Sequence, residues 1–296
     1  MSKLLNKLTE GGWNVAVRER TDGLILSDRQ TPFTLIPNGP RTWEADPFLF
    51  EHEGTVYVFS EMFDYITRRG GIGYSRLDSG RWSPWRVVID EPFHMSYPNV
   101  FRMGQEILMV PETSADKTLR LYRAVSFPDQ WELVKVLAKD VKWVDTTFWS
   151  EHGRIFAITR DLEKWDDQRD LLLELNDQLD ILSVTPIREA EPARSRQGGN
   201  IFNANGTRFR VTQDCSAHYG GALAFSEFDR DGLTEGGMAP VMLHLGPEAL
   251  RFSEQRSWTG LHTYNISEHY EVVDVERRHF HLGGFLVRLF GRIRHR

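Results

Sequence analysis

Apolar residues along this chain recur at alternate positions in short runs, broken by Gly, Asp, Asn and Pro. Alternation with period two buries one face of a strand, whereas a helix spaces its apolar residues three or four apart. The runs also come in a fixed order. One phrase returns five times: Ala45-Asp46-Pro47-Phe48-Leu49-Phe50, Ser96-Tyr97-Pro98-Asn99-Val100-Phe101, Val144-Asp145-Thr146-Thr147-Phe148-Trp149, Gln197-Gly198-Gly199-Asn200-Ile201-Phe202 and Gly260-Leu261-His262-Thr263-Tyr264-Asn265-Ile266. Aligned on their last residues, the copies are 51, 48, 53 and 64 residues apart. The first four copies each continue into three further strand-like runs; after the first phrase these are Thr55 to Glu61, Gly71 to Leu77 and Trp85 to Ile89. Strand-rich units repeating at roughly 40 to 50 residues are the mark of a β-propeller. The predicted fold is therefore all-β, a single five-bladed β-propeller.

The fifth copy lacks strand material at its C-terminal end. Two runs ahead of the first copy, Trp13 to Arg18 and Phe33 to Ile36, are strand-like. They are predicted to complete the last blade, which closes the ring and removes its exposed edges. The propeller is thus expected over residues 1–284 without a linker. Residues 285–296 differ. Phe285, Leu286, Leu289, Phe290 and Ile293 fall near helical spacing, with Arg288, Arg292, Arg294, His295 and Arg296 between them. This basic amphipathic tail reads either as a peripheral contact with an anionic membrane surface or as a self-packed terminal helix.

Equivalent positions on the innermost strands of a propeller face a shared axis. The residue just before strand one of each copy is Asp46, Tyr97, Asp145, Gly198 or His262, and fifteen positions later stand Glu61, Glu112, Arg160, Gln213 and Arg277. None of the ten is aliphatic, although Val, Ile and Phe fill the strands between them. Carboxylates brought together in a concave site raise one another's pKa, and burial raises it further, while arginines hold others down. Such separation lets one carboxyl donate a proton while another acts as base or nucleophile. Glycosidic bond cleavage needs that pairing, an acid on the leaving oxygen and a carboxylate on the opposite face. Asp46 is the expected base or nucleophile, Glu112 the acid with Glu61 as substitute, and Asp145 the orienting carboxylate. Arg160, Gln213, His262 and Arg277 would hold sugar hydroxyls, and Trp43 and Tyr97, with Trp143 or Trp149, would stack on ring faces. Each also has a structural reading: a turn former before Pro47, solvated strand ends, arginines neutralising nearby acids, a hydrogen-bonded core histidine.

Composition narrows the alternatives. The chain has 296 residues, 40% hydrophobic and 26% charged, enough for a real core, and its net charge of −6 argues against a general nucleic-acid binder. Nine tryptophans and 12% aromatic residues suit pleated layers and sugar platforms alike. Cys215 is alone, which excludes an internal disulfide and a cysteine-rich metal site. No apolar stretch approaches the ~20 residues needed to cross a bilayer, and Met1 to Glu10 has no signal-peptide core, so the expected compartment is the cytoplasm. Gly70-Gly71-Ile72-Gly73 lacks the following helix and acidic partner of a dinucleotide site, and no phosphate loop or His-Glu-x-x-His occurs. No cofactor is expected. The funnel carboxylates would suit a divalent ion on the axis, though nothing in the sequence selects one.

Trp43-Glu44-Ala45-Asp46-Pro47, with Asp145 two blades on, resembles the five-bladed propeller glycosidases of the arabinanase, levansucrase and invertase group. The resemblance implies Asp46 as base or nucleophile and Asp145 as a second, tuning aspartate. That group usually carries its acid glutamate on a later blade; here the later inner positions are Arg160 and Gln213, leaving Glu61 or Glu112. A likeness covering most of the chain is carried by Ser96 to Phe101, Val110-Pro111-Glu112-Thr113, Leu121-Tyr122-Arg123-Ala124, Phe127-Pro128-Asp129-Gln130-Trp131 and Gln213-Asp214-Cys215. These resemble the N-terminal domain of plant glucosamine inositolphosphorylceramide transferases, which in the plant proteins precedes a separate glycosyltransferase domain. The resemblance implies a propeller connected with glycan or glycolipid assembly. Glycosyl hydrolysis or transfer on a glycan or glycoconjugate is the leading expectation. A non-catalytic module binding a sugar or partner protein in polysaccharide or glycolipid synthesis is the alternative, and a rim scaffold fits the charged funnel least.

Overall fold

The computed structural model describes residues 9–163, 170–187, 192–235 and 239–287. Strand β1 (Glu10–Glu19) and the short β2 (Thr34–Leu35) open the chain. The first blade is β3 (Thr42–His52), β4 (Thr55–Asp64) and β5 (Arg69–Asp78), edged by β6 (Arg81–Trp82) and β7 (Arg86–Ile89). Next come β8 (Ser96–Met103), β9 (Glu106–Thr113), β10 (Thr118–Ser126) and β11 (Gln130–Lys139), then β12 (Trp143–Glu151), β13 (Arg154–Asp161), β14 (Asp170–Leu175) and β15 (Ile181–Pro186). The fourth blade is β16 (Phe202–Ala204), β17 (Thr207–Asp214), β18 (Ala222–Glu227) and β19 (Val241–Leu245). The fifth holds β20 (Tyr264–Ile266) and β21 (Tyr270–His279), and its outer strands are the N-terminal pair, in the order β20-β21-β1-β2. β1 pairs antiparallel with β21 along its whole length, from Glu10 opposite His279 to Glu19 opposite Tyr270. The five-bladed ring is thus closed by strands from both ends of the chain, as the incomplete fifth copy predicts.

Alternation supplies each blade with an apolar layer for its neighbour, and each interface holds its own cluster of buried side chains. Phe48, Phe59 and Ile72 meet Val100, Met109 and Tyr122 between the first two blades. Val110 and Leu121 meet Phe148 and Leu173 between the next two. Val15, Val17 and Val272 meet Leu49 and Val58 where the fifth blade returns to the first. Buried amides lash the inner strands together across the axis. Asn99 Nδ2 donates to Asn200 Oδ1 at 2.7 Å, Asn200 N donates to Asn265 Oδ1 at 2.7 Å, and Asn265 Nδ2 donates to Pro47 O at 2.7 Å.

The inner strands begin earlier than their apolar runs suggest, because a β-bulge interrupts the first three. Ala45 lies opposite Glu61 and Phe48 opposite Phe59; Ser96 and Asn99 face Glu112 and Val110; Val144 and Thr147 face Arg160 and Ile158. The extra residue in each bulge adopts the left-handed backbone region, with φ of 51° at Asp46, 45° at Tyr97 and 50° at Asp145. Side-chain-bearing residues seldom occupy that region, and bulges re-aim the side chain they carry. Three of the five first-layer residues therefore sit in strained backbone, a cost of about 1 to 3 kcal/mol each that surrounding contacts must hold in place.

The tail expectation falls mostly outside the described residues. Residues 282–287 are helical, Phe285 N donating to His281 O at 2.9 Å, and the rest of the basic run is not described. No described helix is long and apolar enough to cross a membrane.

Candidate functional site

The bulges converge on a cluster of acids at the axis. Asp46 accepts from Thr263 Oγ1 at 3.0 Å and from Tyr97 N at 3.2 Å, so blades one, two and five meet on one carboxylate. Its own N–H donates to Asp274 Oδ2 at 2.9 Å. His262 lies between these two acids: Nδ1 is 2.7 Å from Asp274 Oδ2, and Nε2 is 3.7 Å from Asp46 Oδ1. Trp13 of β1 stacks flat on the imidazole, with centroids 3.8 Å apart and planes inclined by 9°. The N-terminal strand therefore supplies a wall of the site as well as closing the ring.

Asp145 is bound on the opposite side. Arg196 Nε donates to its Oδ2, Gln213 Nε2 donates to the same oxygen at 3.0 Å, and Arg196 Nη2 reaches Glu112 Oε2 at 3.7 Å. One guanidinium thus bridges acids from blades two and three, and it also lies 5.3 Å from the Tyr219 ring. Ser114 Oγ donates to Glu112 Oε1 at 2.7 Å, while Glu112 Oε2 has no hydrogen bond among the described residues. Glu61 has an Oε1 without a hydrogen bond, and His94 Nε2 is 3.5 Å from it. His94 Nδ1 accepts from Gly70 N at 2.9 Å, which leaves the imidazole proton on the nitrogen facing Glu61.

Asp46, Glu61, Glu112, Asp145 and His262 are all under 9% exposed. Burial, then the neighbouring charges of Asp145 and Asp274 against the pull of His262, pushes the Asp46 carboxyl up to about 6. Burial and the charge of Asp145, opposed by Arg196, push Glu112 up to about 7. Burial and the charges of Asp46, Glu112, Asp274 and Asp145 hold Glu61 well above the usual carboxylate range. For His262, burial favours the neutral ring, but Asp274 and Asp46 outweigh it and raise its pKa. These groups feel one another's charge and titrate as a set. Asp46, His262 and Asp274 each place one ligand atom within 4.8 Å of the others, the axial group able to take a cation.

Sequence alignment places several of these residues and misplaces others. Asp46, Glu61, Glu112, Asp145, Gln213 and His262 come together. Arg277 does not. In the first blade Glu44, two residues before Asp46, lies opposite Met62, whereas in the fifth Gly260, two before His262, lies opposite Glu276. The fifth hairpin is two residues shorter, so the fifteen-residue offset overshoots by two: the position equivalent to Glu61 is Val275, and the acid that meets Asp46 is its neighbour Asp274. Arg160 is also spent elsewhere, its Nε donating to Asp170 Oδ1 at 2.7 Å and its Nη2 to Ser195 Oγ. Tyr97 offers no stacking face. It is fully buried, its hydroxyl joining Thr147 Oγ1 at 2.8 Å and accepting from Gly199 N at 2.9 Å, and its functional group here is the N–H on Asp46. Trp43 lies flat on Phe63, 4.6 Å away, while Trp143 and Trp149 are packed between blades. Trp13, Arg196, Tyr219 and Asp274 lie outside the aligned positions. Arg196 directly precedes the fourth phrase, which was the available signal for it.

A closed ring of five antiparallel blades, four of four strands and one of five, with a buried polyacid cluster on its axis defines a five-bladed propeller with an axial site. Residues 36–275 match the family described as glucosamine inositolphosphorylceramide transferase 1, N-terminal, and the chain belongs to that family. It is similar to glucosamine inositolphosphorylceramide transferase 1 of Oryza sativa subsp. japonica, 33% identical over 236 residues, covering 77% of this chain and 31% of that protein. The protein of the same name from Arabidopsis thaliana is 32% identical over 242 residues, covering 77% of this chain and 30% of that protein. The chain thus spans about a third of the length of these relatives. Among solved structures it is similar in fold to the catalytic domain of Coprinopsis cinerea GH62 α-L-arabinofuranosidase, with TM-score 0.57 and 10% identity over 78% of this chain and 90% of that one. A GH43 β-xylosidase/α-arabinofuranosidase from a compost microbial metagenome gives TM-score 0.56 and 11% identity over 83% of this chain and 93% of that one.

Proposed function

We propose that the chain engages the glycan part of a glycoconjugate in the axial funnel and acts there by glycosyl cleavage or transfer. One observation carries the reading: five buried acids share a site, and burial with neighbouring charge raises the proton affinity of Asp46, Glu112 and Glu61 there. Glu112, near 7 and with one oxygen free of hydrogen bonds, suits the acid that protonates a leaving oxygen. Asp46, near 6, is mostly ionised at neutral pH and suits the base or nucleophile. Asp145 is oriented by Arg196 and Gln213, and Glu61, held well above the usual carboxylate range, is the substitute acid. Gln213, Arg196 and His262 carry the donors that sugar hydroxyls need. The names of the plant relatives support a glycolipid or related glycoconjugate as the partner.

A non-catalytic glycan-binding role is the second reading. The funnel acids are almost wholly covered, and the chain covers 31% of a relative named for a transferase activity. The test is turnover of a panel of glycans and activated sugar donors by the purified protein. Turnover lost in both Asp46→Asn and Glu112→Gln supports catalysis. Turnover indifferent to both substitutions, or none with any substrate, removes it.

A further inference from the structure

Displaced from the axis, Arg277 enters a second concave site. It lines a cleft of about 300 Å³ together with Asn14, Asn38, Thr42, Tyr65 and Arg256. The cleft lies behind the funnel wall, since Asn38 Nδ2 donates to the carbonyl of Trp13, the residue stacked on His262, at 2.8 Å. Arg277 is half-buried, its Nε is covered from solvent without a hydrogen bond, and it has no ion pair among the described residues. A second guanidinium, Arg256, faces the same space and repels it. The acids nearby answer this charge only in part, Glu254 offsetting some of the effect of burial and of Arg256. Glu254 is itself paired with Arg256, and the buried Glu44, two residues along β3 from the lining Thr42, accepts from Thr42 Oγ1 at 2.5 Å.

Holding a half-buried guanidinium without an acid disfavours folding, because its lost hydration is not replaced. Its planar fork is shaped to receive two oxygens of a phosphate or carboxylate. Beside it, Asn38 Oδ1 is a buried acceptor without a donor among the described residues, which calls for a hydroxyl on the same ligand. We propose that this cleft binds an acidic sugar, its phosphate or carboxylate held by Arg277 and Arg256 and a ring hydroxyl given to Asn38. The site is separate from the axial acids and stands whether or not they catalyse.

Calorimetry on the full chain at low salt tests it with glucose 6-phosphate, glucuronate and uncharged glucose. The acidic sugars bind and glucose does not, and the tighter of the two acids identifies phosphate or carboxylate as the preferred group. Arg277→Gln weakens binding by about tenfold or more, the loss of one charge-assisted hydrogen bond. Arg256→Gln, at an exposed position, does the same, and Asp46→Asn leaves this binding unchanged. The proposal is overturned if neither acid binds, if glucose binds equally well, if both arginine variants bind like the parent, or if Asp46→Asn abolishes binding.

Discussion

Glu44 stands two residues ahead of Asp46 on β3 with none of its surface exposed. One carboxylate oxygen accepts from Thr42, and the other has no hydrogen bond among the described residues. Burial, opposed by Thr42 and the Gly39 backbone, raises its pKa from the ordinary 4.5 to about 7. A folded-state pKa above the unfolded one means that the native protein holds a proton the unfolded chain releases. The cost of folding around Glu44 therefore grows as pH climbs from about 4.5 to about 7 and is constant above that window. At about 1.4 kcal/mol per pH unit, that interval corresponds to roughly 3 kcal/mol. Glu44→Gln keeps the acceptor for Thr42 and removes the titration. Denaturant unfolding of both proteins at pH 5 and pH 8 gives the measurement. The variant should nearly match the parent at pH 5 and exceed it by up to roughly 3 kcal/mol at pH 8. A difference independent of pH, or a variant less stable at pH 8, would refute the reasoning.

Arg196→Met removes the cation shared by Asp145 and Glu112 and should cost about 3 to 5 kcal/mol at neutral pH, less as acid protonates the stranded carboxyls. The same unfolding curves measure it, and a loss below about 1 kcal/mol would show that the bridge is not structural. Gly199→Ala places a Cβ 2.0 Å from Tyr264 O at a φ of +143°. It should destabilise by about 2 kcal/mol or more in thermal unfolding, and an unchanged transition would mean that the inner strand is free to shift.

The ring was legible because alternation and the phrase period are both backbone-scale signals, and five copies agree with one another. Closure by Trp13 to Arg18 followed from counting strands. The site was legible wherever the hairpins share one length, which is why Asp46, Glu61, Glu112 and Asp145 fall together. The fifth hairpin breaks that rule by two residues, so the alignment points at Arg277 where the register gives Val275, and Asp274, which meets Asp46, corresponds to Ser60 rather than to Glu61. Side-chain destinations were less legible still. Nothing in the spacing says that Tyr97 turns its ring into the core and its N–H toward Asp46, because that depends on the bulge and its positive φ. Arg196 and Trp13 come from segments outside the repeat phrase, and only the closed ring brings them to the axis.

In the proposed function Asp46 and Glu112 meet a glycan. A sugar found in the panel should be titrated by calorimetry into the parent protein, Asp46→Asn and Glu112→Gln. The account predicts clear binding to the parent and affinity lower by about tenfold or more in each variant, as for loss of a charged hydrogen-bond partner. Equal affinity in all three proteins would contradict it.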